Sequence, residues 1–429
     1  MTLQMITLGC SRNLVDSEHL IYHFQKRGYR VIHNEYHPPA DILIINTCGF
    51  ILDAKQESVD TILQYLEEKK KGNLGKLYVM GCLSERYKSE LPKELPGVDG
   101  FFGVNEMPRI LRAAGIGYPD PDPVSRLVSP PGHYAYLKVS EGCDRSCAFC
   151  AIPGIRGRQV SVPVEQLRRE AAFLAGRGVR ELILIAQDLT AYGTDLYGKR
   201  ALPGLLEELP KQEGIEWIRL HYAYPTGFPL EVIGVMASGQ KICKYLDIPI
   251  QHISDRVLSA MGRGYGRKNL EALLERFRSE IPDVSLRTTV MVGYPEETDE
   301  AFRELLDFLA AFRFDRLGVF PYSHEEGTGA GRKYRDVIPE KVKSERAGEV
   351  MKLQQEISLQ LNREKIGKVY RVLIDREEPP CYIGRTEYDS PEVDNEVILQ
   401  ADRKLDPGDF YDVRITGAEE FDLYGTVVS

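Results

Sequence analysis

Residues 3–9 (LQMITLG) form a short apolar run, followed by helical periodicity from about residue 17 to residue 27 that closes at Gly28. The alternation repeats twice. Residues 40–47 (ADILIINT) precede a helical stretch over about 53–70, and residues 76–81 (KLYVMG) precede another. Apolar runs of this length, separated by helical segments, predict buried strands of a parallel, doubly wound sheet. Five prolines between residues 115 and 132 break the pattern and predict a linker. Beyond it, predicted strands recur at 134–139, 181–186, 217–221, 245–249, 286–292 and 316–320, with helical patterns between most of them. Six βα units predict an open, partial (β/α) barrel. A charged helix is predicted over about 339–365, with Val342, Val350, Leu353, Ile357 and Leu361 on its apolar side. The last 63 residues change to short alternating strands with turns such as Asp406-Pro407-Gly408-Asp409, the pattern of a small OB-like β-barrel. The expected fold class is α/β. Its parts are a doubly wound domain at 1–116, a linker at 117–132, a partial barrel with trailing helix at 133–366, and an acidic β-barrel at 367–429.

With 43% hydrophobic and 28% charged residues, the composition is that of a soluble globular protein. No apolar run approaches the roughly 18 residues of a membrane span. Asp16 and Glu18 fall where a signal peptide needs its apolar stretch, so a cytoplasmic location is expected. The net charge of −9 is unevenly distributed. Residues 367–429 carry seven Lys and Arg against fifteen Asp and Glu, a net of −8, and residues 1–366 carry 48 against 49. A partner that recognises charge is therefore expected at the C-terminal segment.

Eight cysteines in such a chain point to metal rather than to disulfides. Cys143-Asp-Arg-Ser-Cys147-Ala-Phe-Cys150 directly follows a predicted strand. Three thiolates on one tight loop suit three irons of a [4Fe–4S] cube and leave the fourth iron open. A structural zinc site would need a fourth protein ligand, and no Cys or His follows before His221. Cys10, Cys48 and Cys82 have 37 and 33 residues between them, so no spacing motif applies, but each ends a predicted parallel strand. Ligands of open α/β sheets bind outside those strand ends, so the three converge on a possible second cluster. Three ordinary buried cysteines are the alternative. Cys243 and Cys381 have no cysteine nearby and are read as bystanders.

The CxxxCxxC spacing resembles the radical S-adenosylmethionine (SAM) enzymes. With the second trio and the C-terminal β domain, the whole chain resembles the methylthiotransferases of that superfamily. The likeness is carried by LGCSRNLVDSE (8–18), YLKVSEGCDRSCAFCAIPGIRGR (136–158), AQDLTAYGTDLYG (186–198), YLDIPIQHISDRVL (245–258) and MVGYPEETDEAF (291–302). These segments are similar to the branch that modifies the β-carbon of an aspartate in the twelfth small-subunit ribosomal protein. The tRNA-modifying branch carries a GCQMN-like segment where this chain has GCSRN.

The resemblance implies two [4Fe–4S] clusters, an auxiliary one on Cys10, Cys48 and Cys82 and a radical SAM one on Cys143, Cys147 and Cys150. It also implies SAM as both methyl donor and radical source, and a C-terminal domain of the TRAM type. One SAM methylates a sulfur held at the auxiliary cluster. A second is cleaved at the other cluster, and its radical removes a hydrogen from the substrate carbon, which then takes the methylthio group. Gln187 and Asp188, with Gln251, Arg287 and Tyr322 at or near later strand ends, are candidates for contact with SAM. Arg156 and Arg158 are candidates to neutralise anionic groups, with a solvated loop as the alternative. His221 and His252 are read as structural histidines, and Gly327-Thr-Gly329-Ala-Gly331 is no phosphate loop.

The leading expectation is an enzyme acting on a basic ribosomal protein, free or in the small subunit. The others are an enzyme of the same chemistry acting on tRNA and a non-catalytic iron–sulfur carrier or ribosome-docking module. A carrier would have every iron ligated by protein, whereas each trio is one ligand short. A tRNA-recruiting domain should be basic. The acidic C-terminal segment instead suggests an electrostatic clamp for a basic protein, formed by Glu387, Asp389 and Glu392. Nucleic acid contact is not expected to dominate.

Overall fold

The computed structural model describes residues 1–35, 39–117, 124–400 and 403–428. The expected linker falls partly on residues 118–123, outside the described residues.

The first domain is a five-stranded parallel sheet of β1 (Thr2–Thr7), β2 (Arg30–His33), β3 (Ala40–Thr47), β4 (Leu74–Gly81) and β5 (Gly100–Phe101), in the order β2-β1-β3-β4-β5. Helix α1 (Ser11–Gln25) follows β1, and α2 (Leu52–Lys70) follows β3. The centre of β3, residues 42–45, is apolar because both its faces are covered. Ile42 and Ile44 join Leu20, Ile21 and Phe24 of α1 in one cluster, while Leu43 and Ile45 join Ile62 and Tyr65 of α2 in another. Period-two alternation thus feeds two cores rather than one.

The second sheet has six parallel strands in chain order: β6 (Tyr134–Lys138), β7 (Glu181–Ile185), β8 (Trp217–Leu220), β9 (Ile242–Asp247), β10 (Ser285–Val292) and β11 (Arg316–Pro321). It stays open, the partial (β/α) barrel that six βα units predict. Leu182, Leu184, Ile218 and Leu220 face the outer helices. On the inner face Ile183 and Ile185 pack with Tyr136 against Val15 and Leu14 of α1, so the first domain docks into the mouth of the barrel.

Helix α3 (Glu340–Arg363) leads to a closed five-stranded barrel of β12 (Val369–Glu378), β13 (Cys381–Thr386), β14 (Glu396–Leu399), β15 (Phe410–Ala418) and β16 (Asp422–Val427). Its β13–β14 connection, residues 387–395, inserts beneath the amino ends of the second sheet. Arg316 pairs with Asp389, Arg287 with Asp394 at 3.2 Å, and Arg219 donates to the Glu387 carbonyl at 2.7 Å. In return Arg385 of β13 reaches Glu181 at 2.6 Å, and Trp217 packs edge-on against Phe410 at 4.8 Å.

This geometry corrects the clamp expected from charge. Asp389 is fully buried, and the Glu387 carboxylate accepts the Lys244 N–H at 3.0 Å. Only Glu392 is exposed, and it accepts from the Tyr134 hydroxyl. Asp389 and Asp394 of the acidic run neutralise Arg316 and Arg287 of the same chain, while Glu387 and Glu392 accept from the Lys244 N–H and the Tyr134 hydroxyl.

Candidate functional site

Cys10 follows β1 and caps α1, Cys48 follows β3, and Cys82 opens the short helix Cys82–Arg86 after β4. In the order β2-β1-β3-β4 the chain reverses between β1 and β3, which is the switch point where open α/β sheets bind ligands. Glycines bring the strand ends together. Gly9 (φ +88°) lets the backbone pass where a Cβ would stand 2.7 Å from the Cys48 Cβ, and Gly81 (φ +99°) where one would stand 2.4 Å from Asn46 Oδ1. Burial would push the Cys10 thiol up. The guanidiniums of Arg12 and Arg156 and the N–H groups of Asn13 and Arg12 outweigh it, so the thiol lies below its ordinary value. Burial dominates at Cys48, pushed up to about 11, and also raises Cys82.

The second trio lies on the loop after β6 and its short continuation. Burial pushes Cys143 up to about 11 and Cys150 up to about 12. Cys147 meets the Tyr224 hydroxyl at 3.4 Å and accepts from Arg263 Nη1 at 3.3 Å. The Tyr224 ring lies between two guanidiniums, with Arg145 and Arg263 each 4.1 Å from its centroid. The glycine-spaced segment braces this loop: Ala330 N–H donates to the Ala148 carbonyl at 2.6 Å. A cleft of about 520 Å³ opens beside it, lined by Arg86 of the first domain and by Arg145, Cys147, Cys150, Ile155 and Thr328 of the second.

The two trios are joined by polar side chains. Arg156, at the end of the short helix Ile152–Arg156, crosses to the first domain, where its Nε donates to Cys82 Sγ at 3.4 Å and its Nη2 to Asn13. Its other bonds go to Asp16 and Glu141. Arg12 crosses the opposite way, donating from Nη1 to the Ala186 carbonyl at 2.8 Å and lying 4.6 Å over the Tyr222 ring. A peripheral latch adds Lys55 and Arg86 of the first domain on Glu325, at 2.7 and 3.0 Å.

The remaining candidates separate. Gln187 donates to Glu141 at 2.7 Å, while its Oε1 is buried without a partner. Gln251 stands at the mouth with φ +67°. Asp188 is buried and bonded to Arg145 at 2.6 Å and to Thr190. Arg287 is a correction: it is the third residue of β10, at the end away from the mouth, and pairs with Asp247 and Asp394. Tyr322 is buried in a cluster with Tyr294 and Met261 beneath Ala148 and Phe149, so it supports the cysteine loop from below. Arg156 is buried where Arg158 is exposed against Asp144. His221 bonds Ser390 at 2.9 Å and His252 faces Glu297 at 3.4 Å. Cys243 is buried against Trp217 and Tyr245.

Both trios fit iron–sulfur groups on the chemistry of their donors and surroundings. All six cysteines are free. Buried polar atoms without partners flank them: the hydroxyls of Ser11, Ser84 and Ser140, Arg12 Nε and Gln187 Oε1. Such atoms are costly unless a bound group completes them. Of the arginines that touch or face the thiols, Arg156 is the one named from its place six residues after Cys150, while Arg12 and Arg263 are not legible as site residues from spacing.

Three family models match the chain: "Uncharacterized protein family UPF0004" at residues 2–103, "Radical SAM superfamily" at 137–309 and "TRAM domain" at 366–428. A "Ribosomal protein uS12 methylthiotransferase RimO" from Christiangramia forsetii is 53% identical over 99% of this chain and 93% of its own length. One of the same name from Phocaeicola vulgatus is 51% identical over 100% of this chain and 99% of its own. Among solved structures, the radical SAM methyltransferase TsrM from Kitasatospora setae aligns with a TM-score of 0.59 at 14% identity, covering 95% of this chain and 83% of that one. The cobalamin-dependent radical enzyme OxsB aligns with a TM-score of 0.52 at 13% identity, covering 82% and 56%. At these identities the two structures share the fold alone.

Proposed function

The chain belongs to the ribosomal protein uS12 methylthiotransferase family, and from that premise we propose that it adds a methylthio group to the β-carbon of an aspartate in that ribosomal protein. It is a radical SAM enzyme. The observation that carries the reading is the opposition of two cysteine trios, each at the carboxyl edge of its own parallel sheet, with Arg12 and Arg156 exchanged between them.

In this reading Cys10, Cys48 and Cys82 hold one [4Fe–4S] cluster and Cys143, Cys147 and Cys150 another, each with an open iron. When bound, the two would supply reductive cleavage of SAM on the barrel side and a methylated sulfur on the other. The chain's own residues create the conditions for this. The Tyr224 hydroxyl, which donates to the Arg263 carbonyl, lies beside Cys147, and Arg263 donates to its sulfur. Arg156 does the same at Cys82, and Glu141 with Asp16 keeps its guanidinium oriented. The Lys55–Glu325–Arg86 latch and the α1 contacts hold the domains at one separation, so that a single side chain can meet both edges. Gln187 and Gln251 remain as contacts for SAM at the mouth. A cytoplasmic setting and a ribosomal partner, free or assembled, complete the reading. Among the described residues no helix is long and apolar enough to cross a membrane.

The test is anaerobic reconstitution followed by mass spectrometry of purified uS12. About eight irons per chain are expected. Cys143, Cys147 and Cys150 changed together to Ala should keep about half the iron and abolish SAM cleavage. The corresponding change at Cys10, Cys48 and Cys82 should leave cleavage and abolish methylthio transfer. A wild-type preference for tRNA over uS12 would transfer the assignment to the tRNA-modifying reaction.

A further inference from the structure

Arg12 is placed as no other cation of the site is. Arg145 and Arg156 pair with carboxylates of the chain, and the Arg263 guanidinium is taken up by the Tyr265 hydroxyl, Cys147 and the Pro249 carbonyl. Arg12 makes one hydrogen bond, from Nη1 to the Ala186 carbonyl, and pairs with no carboxylate among the described residues. Its Nε is buried without a partner, so the Nε/Nη2 edge of the guanidinium is open. That edge presents two parallel N–H groups, the fork that matches a carboxylate in bidentate fashion. The residue as a whole is only half-buried, although the Nε atom itself is enclosed.

Its support is rigid. The guanidinium lies 4.6 Å over the Tyr222 ring. Tyr222 adopts φ +61°, a costly conformation for a bulky residue, and its N–H is fastened to Asp247 Oδ2 at 3.0 Å. Backbone strain of this kind persists where the surroundings over-determine it, often at ligand clamps. The location is equally specific. Arg12 stands two residues after Cys10 of one trio. It touches the end of β7 at Ala186, and Asp188, two residues further on, is bonded to Arg145 beside Cys143 of the other trio.

Arg12 therefore joins the strand end of one trio to the strand beside the other. If the reading above holds, the acceptor carbon carries a carboxylate on the adjacent atom. We propose that Arg12 is the specificity-determining residue of the transfer, gripping the acceptor's side-chain carboxylate with its Nε/Nη2 edge. The inference rests on the functional reading and adds to it how the acceptor is told apart from its amide.

The test uses reconstituted full-length enzyme with uS12 whose acceptor aspartate is intact or changed to Asn, and reads both anaerobic binding and modification. Losing one partner of a buried, hydrogen-bonded charge pair should weaken binding by about thirtyfold or more. Wild type is therefore expected to bind the Asp form at least that much more tightly than the Asn form. Arg12→Gln should bind the two alike, and Arg12→Lys should recover part of the preference. Iron content and the cluster EPR signals should not change in either variant. Equal binding of the two forms by wild type overturns the proposal without any variant having to fold. So does an Arg12→Gln enzyme that keeps the preference, or one that loses iron from the first domain and weakens both forms equally, since Arg12 would then serve only as counter-charge to Cys10. A wild-type enzyme that binds the Asp form selectively and leaves it unmodified overturns the functional reading while the grip at Arg12 stands.

Discussion

Replacing Asp389 with Ala should loosen the C-terminal barrel from the second sheet. The Asp389 carboxylate is fully buried, accepts from Arg316 Nε at 2.9 Å and again from Nη2, and takes the Thr386 hydroxyl at 2.7 Å. Arg316 is itself 6% exposed and, among the described residues, has no other carboxylate on its guanidinium. Truncation leaves a charged guanidinium inside the protein, and breaking such a pair costs about 3–5 kcal/mol. With a urea dependence of about 2 kcal/mol per molar, the transition should fall by roughly 2 M. The chain provides its own probe, because its single tryptophan, Trp217, packs against Phe410 at this interface. Its fluorescence in anaerobic urea titrations therefore follows the separation of barrel and sheet. Asp389→Leu combined with Arg316→Met removes both charges and should return to within about 1 kcal/mol of wild type. An Ala variant that unfolds within about 0.3 M of wild type would refute the reasoning, as would a double variant no better than the single one.

Three further outcomes follow from individual contacts. Glu325→Ala removes the carboxylate shared by Lys55 and Arg86, so methylthio transfer should fall at least tenfold while SAM cleavage persists. Gly81→Ala places a Cβ 2.4 Å from Asn46 Oδ1 at φ +99°, a strain of about 1–3 kcal/mol or more, and should cost the first domain its iron while the second retains its own. Lys365 is lowered to about 8, by burial first and then by Arg316, so its ammonium penalises the folded state below pH 8. That penalty is relieved as pH rises from about 8 toward the ordinary lysine value of 10.5, so the Trp217 transition should move to higher urea between pH 7.5 and 9.5, and Lys365→Met should abolish the rise.

The strands of the second sheet are legible in the chain because its central members are buried on both faces and read as apolar runs, as in Glu181–Ile185 and Trp217–Leu220. Strands β2 and β5 are not, since edge strands of four and two residues carry no measurable period. Cys10, Cys48 and Cys82 can be grouped because each directly follows such a run, and strand ends of a parallel sheet lie side by side. Arg12 and Arg156 cannot be placed the same way, because their partners are on the other domain and only docking brings them together. The acidic C-terminal run misleads for a related reason. Arg287 and Arg316 take its Asp394 and Asp389 carboxylates and Arg219 takes the Glu387 carbonyl, and an arginine set inside a sheet demands an internal acceptor. That signal was present, but it names no partner.

The two ends of the partial barrel are thus closed by different means, and the difference matters for function. At the amino ends, Glu181 pairs with Arg385, Arg287 with Asp394 and Arg316 with Asp389, and Arg219 donates to the Glu387 carbonyl; Glu181 and Arg219 also pair with each other and Arg287 with Asp247, so the seam is a connected network of buried charges. A closure of that kind is rigid, so removal of residues 367–429 should disable the core rather than release a smaller active enzyme. At the mouth, the first domain is held by apolar packing from Val15 and Leu14, by the Glu325 latch and by two arginines, while orphaned polar atoms and a wide cleft remain between the sheets. A substrate that must lie between two cysteine trios can enter only where the closure is incomplete. The acceptor segment of the ribosomal protein should therefore approach along the seam between the domains, and the acidic barrel, fixed at the far end and with much of its charge internally neutralised, acts on the reaction by holding the sheet in shape.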